Sequence, residues 1–142
     1  PAKGNMINNI KLDGELRNLI DKKSTLNGLP YDSSEYDHLE EEVHALEDAF
    51  LSNYGSYLED AFHEVHDEYC PDNDVLLPIA YVPNVVIKPN QETYEAAKGQ
   101  GVYIEADDFD TSETKLVLLP GPTRIELLIG SDRKEVVWRV DK

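Results

Sequence analysis

Apolar positions recur at helical spacing over the first half of this chain and at strand spacing over the second. Met6, Ile10, Leu16, Leu19, Ile20 and Leu26 follow steps of roughly three and four, which predicts a helix over about residues 5–26. Gly14 weakens that helix by roughly 1 kcal/mol relative to alanine. Arg17, Lys22 and Lys23 gather toward its C-terminal half, where cations complement the helix dipole. Asn27-Gly28 supplies a C-cap, and Pro30 prevents continuation.

The next periodic run, Ser34 to Cys70, is the longest in the chain. Asp32, Ser33 and Ser34 offer N-caps, and Glu35 and Asp37 place negative charge in the first turn. Leu39, Val43, Leu46 and Phe50 then form an apolar stripe that Tyr54, Tyr57 and Ala61 prolong. Two helices joined by so short a connection predict an antiparallel hairpin. From Ser34 to Tyr69 a continuous helix would span roughly 54 Å, whereas a domain of this size is only about 30–40 Å across. After Gly55 the stripe passes to Leu58, Phe62, Val65 and Tyr69, rotated by about 100° on a helical wheel. A kink or break at Gly55, or a change of packing partner there, is therefore expected.

From Val75 the period shortens. Candidate strands are Val75–Val82, Val85–Lys88, Val102–Ala106, Lys115–Leu119, Arg124–Ile129 and Glu135–Val140, rich in β-branched residues and separated by Pro, Gly, Asn and Asp. Pro78 demotes the first to an edge or broken strand. Thr93 to Lys98 (TYEAAK) reads as a helical turn. Turns at Leu119–Thr123 and Gly130–Asp132 make the last three strands an antiparallel meander. Val136, Trp138 and Val140 alternate with Val137 and Arg139, so one face of the last strand should be buried. The pattern as a whole predicts an α+β fold. An N-terminal antiparallel helical hairpin (residues 1–71) precedes a small antiparallel β-sheet or partly closed barrel (residues 72–142), the two sharing one cooperative domain.

Composition refines this picture. At 142 residues, with 40% apolar and 30% charged positions, the chain is long enough to bury a core without staples. Its single cysteine, Cys70, excludes an intrachain disulfide and fits a reducing compartment. No apolar run approaches the roughly 18 residues of a membrane span, and no signal-peptide pattern is visible. These features predict a soluble, cytoplasmic protein with no membrane partner.

Charge is the most uneven property. No Lys or Arg occurs between Lys23 and Lys88, a window holding 15 of the 29 acids. The net charge is −16, and the rest of the chain is nearly balanced at 14 acids and 13 bases. Such a balance argues against binding nucleic-acid phosphates or anionic lipid. It fits a solvated helix face, or a surface that meets a basic protein.

The sharpest candidate chemistry lies at the end of the second helix. Glu59, His63, His66 and Cys70 fall within about 60° of one another on a helical wheel. Spacings of three and four let two side chains reach one ion, and imidazole, thiolate and carboxylate suit zinc or another divalent transition metal. One straight helix rarely supplies four ligands, so others would have to come from elsewhere. The competing reading makes His63 and His66 surface residues beside carboxylates. His63-Glu64-Val65-His66 is HExH, one residue short of the HExxH of zinc proteases, so that activity does not carry over. Asp60-Ala61-Phe62-His63 has no partner motif in the first helix for a di-metal bundle. Asp108, Asp110 and Ser112 imitate the start of a calcium loop, but Glu113 and Leu119 occupy the places of its required Gly and Glu. No motif for nucleophilic catalysis or phosphate cradling is present.

Two function classes follow. The first is a protein-interaction or self-associating module. It uses Glu40, Glu41, Glu47 and Asp48 against a basic partner, and its two apolar stripes predict a homodimer. Exposed tyrosines beside an acidic face would serve as contacts. The alternative is a metal-dependent hydrolase or metal sensor built on His63 and His66. No bound organic cofactor is implied.

Overall fold

The computed structural model describes residues 8–90, 93–97, 99–106, 113–130 and 133–140. Helix α1 spans Asn9–Asn27. Its N-cap is Asn8, whose side-chain oxygen accepts from the Ile10 and Lys11 N–H groups at 3.0 and 3.1 Å, satisfying two donors that a helix start leaves open. At the other end the Gly28 N–H reaches the Ser24 and Thr25 carbonyls. Helix α2 spans Tyr36–Tyr69 and returns antiparallel to α1. Three contacts set that direction: Tyr54 Oη donates to Glu15, Lys23 pairs with Glu47 and Lys22 with Glu42.

Helix α2 is unbroken at Gly55, so no break accompanies the rotation of the apolar stripe. A Cβ built at Gly55 would meet only Leu51, at 3.6 Å, so no neighbouring element demands a glycine. What changes is the packing partner. The first half of α2 lies along α1. The second half turns Leu58, Phe62 and Val65, each nearly inaccessible to solvent, toward later elements. Phe62 stacks on Tyr81 with ring centroids 3.8 Å apart, and Tyr57 meets Trp138 edge-on at 5.9 Å. Both stripes are thus covered within one chain.

Val75–Val82 is not a strand. Residues 78–81 form a short 3₁₀ helix with Pro78 opening it, where its missing N–H costs nothing. That turn drives Tyr81 into the core. Strands β1 (Val86–Ile87) and β2 (Glu95–Ala96) pair antiparallel. The segment read as a helical turn is therefore the return arm of a hairpin, because pairing with β1 outweighs the weak helix preference of so short a stretch.

Strands β3 (Val102–Ile104), β4 (Thr114–Leu119), β5 (Arg124–Ile129) and β6 (Arg133–Arg139) form an antiparallel sheet in sequence order. The sheet is open rather than closed into a barrel. Between β5 and β6, Ile125 faces Trp138 while Glu126 faces Val136, so Val137 is the extra residue of a bulge. The bulge breaks the expected alternation of β6, and Val136 is exposed rather than buried.

The two faces of the sheet have different covers. Leu116, Leu118, Ile125 and Leu127 share one face by strand alternation and register, and with Trp138 they meet the helices. Val117, Leu119, Arg124 and Glu126 lie on the other, beneath the β1–β2 hairpin, where the Tyr94 carbonyl accepts from Arg124. Gly101 runs so close to β4 that a Cβ there would stand 2.8 Å from Val117, and its φ of 111° is strained for any side chain. Helices and sheet contribute to one continuous hydrophobic cluster. No helix among the described residues is long and apolar enough to cross a membrane.

Candidate functional site

The four residues grouped by wheel angle at the end of α2 straddle the edge of the buried stripe, and they differ in burial. His66 and Cys70 are buried, Glu59 is half-buried and His63 is exposed. His66 is already occupied on both ring nitrogens. Nδ1 lies 3.0 Å from the Asn73 carbonyl and Nε2 lies 3.0 Å from Tyr81 Oη, which also accepts from the Leu76 N–H at 3.0 Å. A tautomer with Nδ1–H donating to Asn73 and Tyr81 O–H donating to Nε2 gives both ring nitrogens and the Tyr81 hydroxyl a partner. Burial raises the Tyr81 phenol above its ordinary value; the Leu76 N–H opposes that rise and nearby Cys70 adds to it. The cluster ties the end of α2 to the 3₁₀ helix. Among the described residues no group of three or more His, Cys, Asp or Glu side chains is placed to hold a metal ion. The acidic segment at Asp108, Asp110 and Ser112 lies outside the described residues.

The acids assigned to partner binding divide as well. Glu41 and Asp48 are exposed, and Glu40 is half-buried. Glu47 turns inward to Lys23 at 3.2 Å, with side-chain exposures of only 21% and 11%, and Glu42 pairs with Lys22 at 3.1 Å. The lysines at the end of α1 therefore neutralise one edge of α2 and leave its outward face uncompensated. Further along, Asp60, Glu64, Asp67 and Glu68 are exposed.

Sequence reasoning missed a second polar centre. Arg124 Nε donates to Glu126 Oε2 at 2.7 Å, Nη1 donates to the Pro120 carbonyl at 2.6 Å, and Nη2 to the Tyr94 carbonyl at 2.6 Å. The Arg124 and Glu126 side chains are 8% and 4% exposed. Among the described residues Glu126 Oε1, also buried, has no hydrogen-bond partner. The signal was present in RIELLI: two charges at i and i+2 of an apolar strand must share a face, and a covered face obliges them to pair.

Asp13 forms the third polar join. Its carboxylate accepts from Arg17 Nε at 2.7 Å, the Gly121 N–H at 2.8 Å and Thr123 Oγ1 at 3.0 Å, tying α1 to the β4–β5 turn. Burial alone would raise its pKa, but the three donors together outweigh burial and hold it below the ordinary value.

No protein-family model matches this chain, nor does any curated protein or solved structure.

Proposed function

We propose that this protein is an interaction module that presents the outer face of α2 to a basic partner protein. The observation that carries this reading is the division of the helix's acids. Glu42 and Glu47 are consumed by lysines of α1. Glu41, Asp48, Asp60, Glu64, Asp67 and Glu68 stand in solvent without an ion pair among the described residues. A one-sign face of this kind raises the rate of encounter with an oppositely charged surface and makes the association sensitive to salt. Tyr31, 86% exposed and packed 4.9 Å from the Tyr36 ring, supplies an aromatic contact at the start of the same helix, the residue type enriched in binding hot spots.

The test is a titration with a Lys/Arg-rich peptide, followed by calorimetry at two salt concentrations. Glu41→Gln with Asp48→Asn should weaken binding about threefold to tenfold, the scale of two exposed charge pairs. Glu105→Gln with Glu135→Gln removes the same charge elsewhere and should leave affinity nearly unchanged. Equal losses in the two variants would reduce the effect to net charge and overturn the assignment to α2.

A further inference from the structure

The second half of α2 and the end of β6 border a groove of about 450 Å³. Tyr57, Ala61, Trp138 and Val140 give it apolar walls, and Asp60 and Glu64 give it carboxylates. We propose that this groove receives an arginine side chain of the basic partner protein, its guanidinium set against Asp60 and Glu64 and its stem laid along Tyr57 and Trp138. The inference rests on the reading of α2 as an acidic docking face, and it names the place on that face where the partner is anchored. A groove that joins aromatic surface to unneutralised charge is the kind of site in which a few residues carry most of the binding energy.

Helix geometry assembles one side of the groove. Tyr57, Asp60, Ala61 and Glu64 stand at i, i+3, i+4 and i+7 of α2 and so share one side of it. Ala61 is buried and Tyr57 half-buried, whereas Asp60 and Glu64 are exposed. Across the groove Trp138 is half-buried, its ring edge-on to Tyr57 at 5.9 Å. Neither carboxylate forms an ion pair among the described residues. Arg139 also lines the groove and has an interaction of its own. Two carboxylates against that one guanidinium leave the lining net negative, on a chain of net charge −16. The same field reaches the Tyr57 phenol, which burial raises above its ordinary value and the charge of Glu64 raises further.

These surroundings select the occupant. An anionic side chain would meet two carboxylates, and an apolar one would desolvate them without offering a donor. The two carboxylates are four residues apart, a rise of about 6 Å along the helix. A guanidinium has five donors in a planar fork and can serve both, and its flat face packs on aromatic rings. The methylene stem of arginine covers apolar surface while its head stays beside the charges. The compact ammonium of lysine has three donors and no flat face, so it fits this groove less well.

Trp138 is the chain's one tryptophan, so the groove carries its own reporter. The experiment follows the Trp138 side-chain resonances while a short Arg-Gly peptide, and then its Lys-Gly counterpart, is titrated into the intact chain, with affinity measured in parallel by calorimetry. The Arg-Gly peptide should shift these resonances saturably, and the Lys-Gly peptide should bind about threefold more weakly, the scale of an exposed cation–aromatic contact. Asp60→Asn with Glu64→Gln, both at exposed positions, should weaken the Arg-Gly peptide about tenfold and remove the Trp138 shift. Glu41→Gln with Asp48→Asn should lower affinity but leave the Trp138 shift at saturation unchanged. Calorimetric binding without a Trp138 shift, or a shift that survives in the Asp60, Glu64 variant, would overturn the groove and leave the acidic face of α2 standing. A Trp138 shift with no effect of the Glu41, Asp48 variant would do the reverse. Equal affinity for the two peptides would overturn the choice of arginine, and no binding of either would overturn both the groove and the docking face.

Discussion

The helical hairpin and the sheet of this protein handle charge in opposite ways. On α2 the acids are many, and most stand in water; where they pair, as Glu42 with Lys22, both side chains remain about 40% exposed (42% and 37%). On β5 there are two charges, and both are buried and locked together. The first arrangement fixes the net charge of the molecule while contributing little to its stability, because exposed pairs are screened and mobile. The second adds nothing to net charge, yet the fold depends on it, because either partner left alone would be an uncompensated charge in the interior. Net charge therefore locates the surface a partner would meet, and buried charge locates the joint that holds the sheet to its cover.

The most severe way to break this contrast is Arg124→Met. It removes the donor to Glu126 and to the Tyr94 and Pro120 carbonyls at once, and it should cost about 3–5 kcal/mol of unfolding free energy. Urea denaturation measures that loss. The double variant Arg124→Met, Glu126→Leu should recover much of it, since an apolar pair on a covered face leaves no charge stranded. A single variant within about 1 kcal/mol of wild type would show that Glu126 is solvated after all.

Asp13 stands between the two extremes, with a side-chain exposure of 20%. Asp13→Asn should cost about 1–3 kcal/mol at neutral pH, the scale of hydrogen bonds to a charged group. The pH dependence identifies the cause. Because the folded pKa lies below the ordinary value of 3.8, the carboxylate contributes stability above that value, and the contribution is lost as pH falls toward the folded one. Urea midpoints measured down the acid limb should fall more steeply for wild type than for Asp13→Asn. Parallel acid limbs would show that the carboxylate's charge is not what the three donors hold.

How far these features could be read beforehand depended on the range of the interactions behind them. The helical hairpin, the antiparallel meander and the bounds of β5 follow from local periodicity, and local periodicity is in the sequence; whether the meander closes into a barrel is not. The hairpin β1–β2 and the 3₁₀ helix at Pro78 are set by what they cover, Arg124 in one case and Phe62 in the other, and a short segment carries no record of its cover. The Val137 bulge reversed an alternation that was otherwise plain. At the end of α2, wheel angle alone grouped Glu59, His63, His66 and Cys70. The buried stripe, rotating through Gly55, then drew His66 and Cys70 inward and left His63 outside. Glu126 was legible as a charge in an apolar strand, but its missing partner depends on the hairpin above it and is visible only in three dimensions.

Gly55 separates the halves of α2 that meet different partners, and its substitution tests whether that change needs a flexible joint. A Cβ there meets Leu51 at ordinary contact distance, and the backbone is helical. Gly55→Ala should therefore stabilise the protein by about 1 kcal/mol, the helix-interior difference between the two residues, which corresponds to a Tm increase of roughly 2–4 °C for a chain of this size. A fall in Tm would mean that the second half of α2 must bend to reach Tyr81 and Trp138.

The smallest effect should come from the exposed seam, and its smallness is informative. Lys22 and Glu42 lie 3.1 Å apart with side-chain exposures of 37% and 42%. A double-mutant cycle with Lys22→Ala and Glu42→Ala should give a coupling of about 0.2–0.5 kcal/mol that shrinks as salt is added. Lys23 and Glu47 sit at nearly the same distance but are far less exposed, so their cycle should give a larger coupling that salt screens less. The ratio of the two couplings measures how solvent access alone changes the worth of an ion pair on one helix. Equal couplings would remove burial as the variable, and with it the physical distinction drawn between the acids that face α1 and those that face outward.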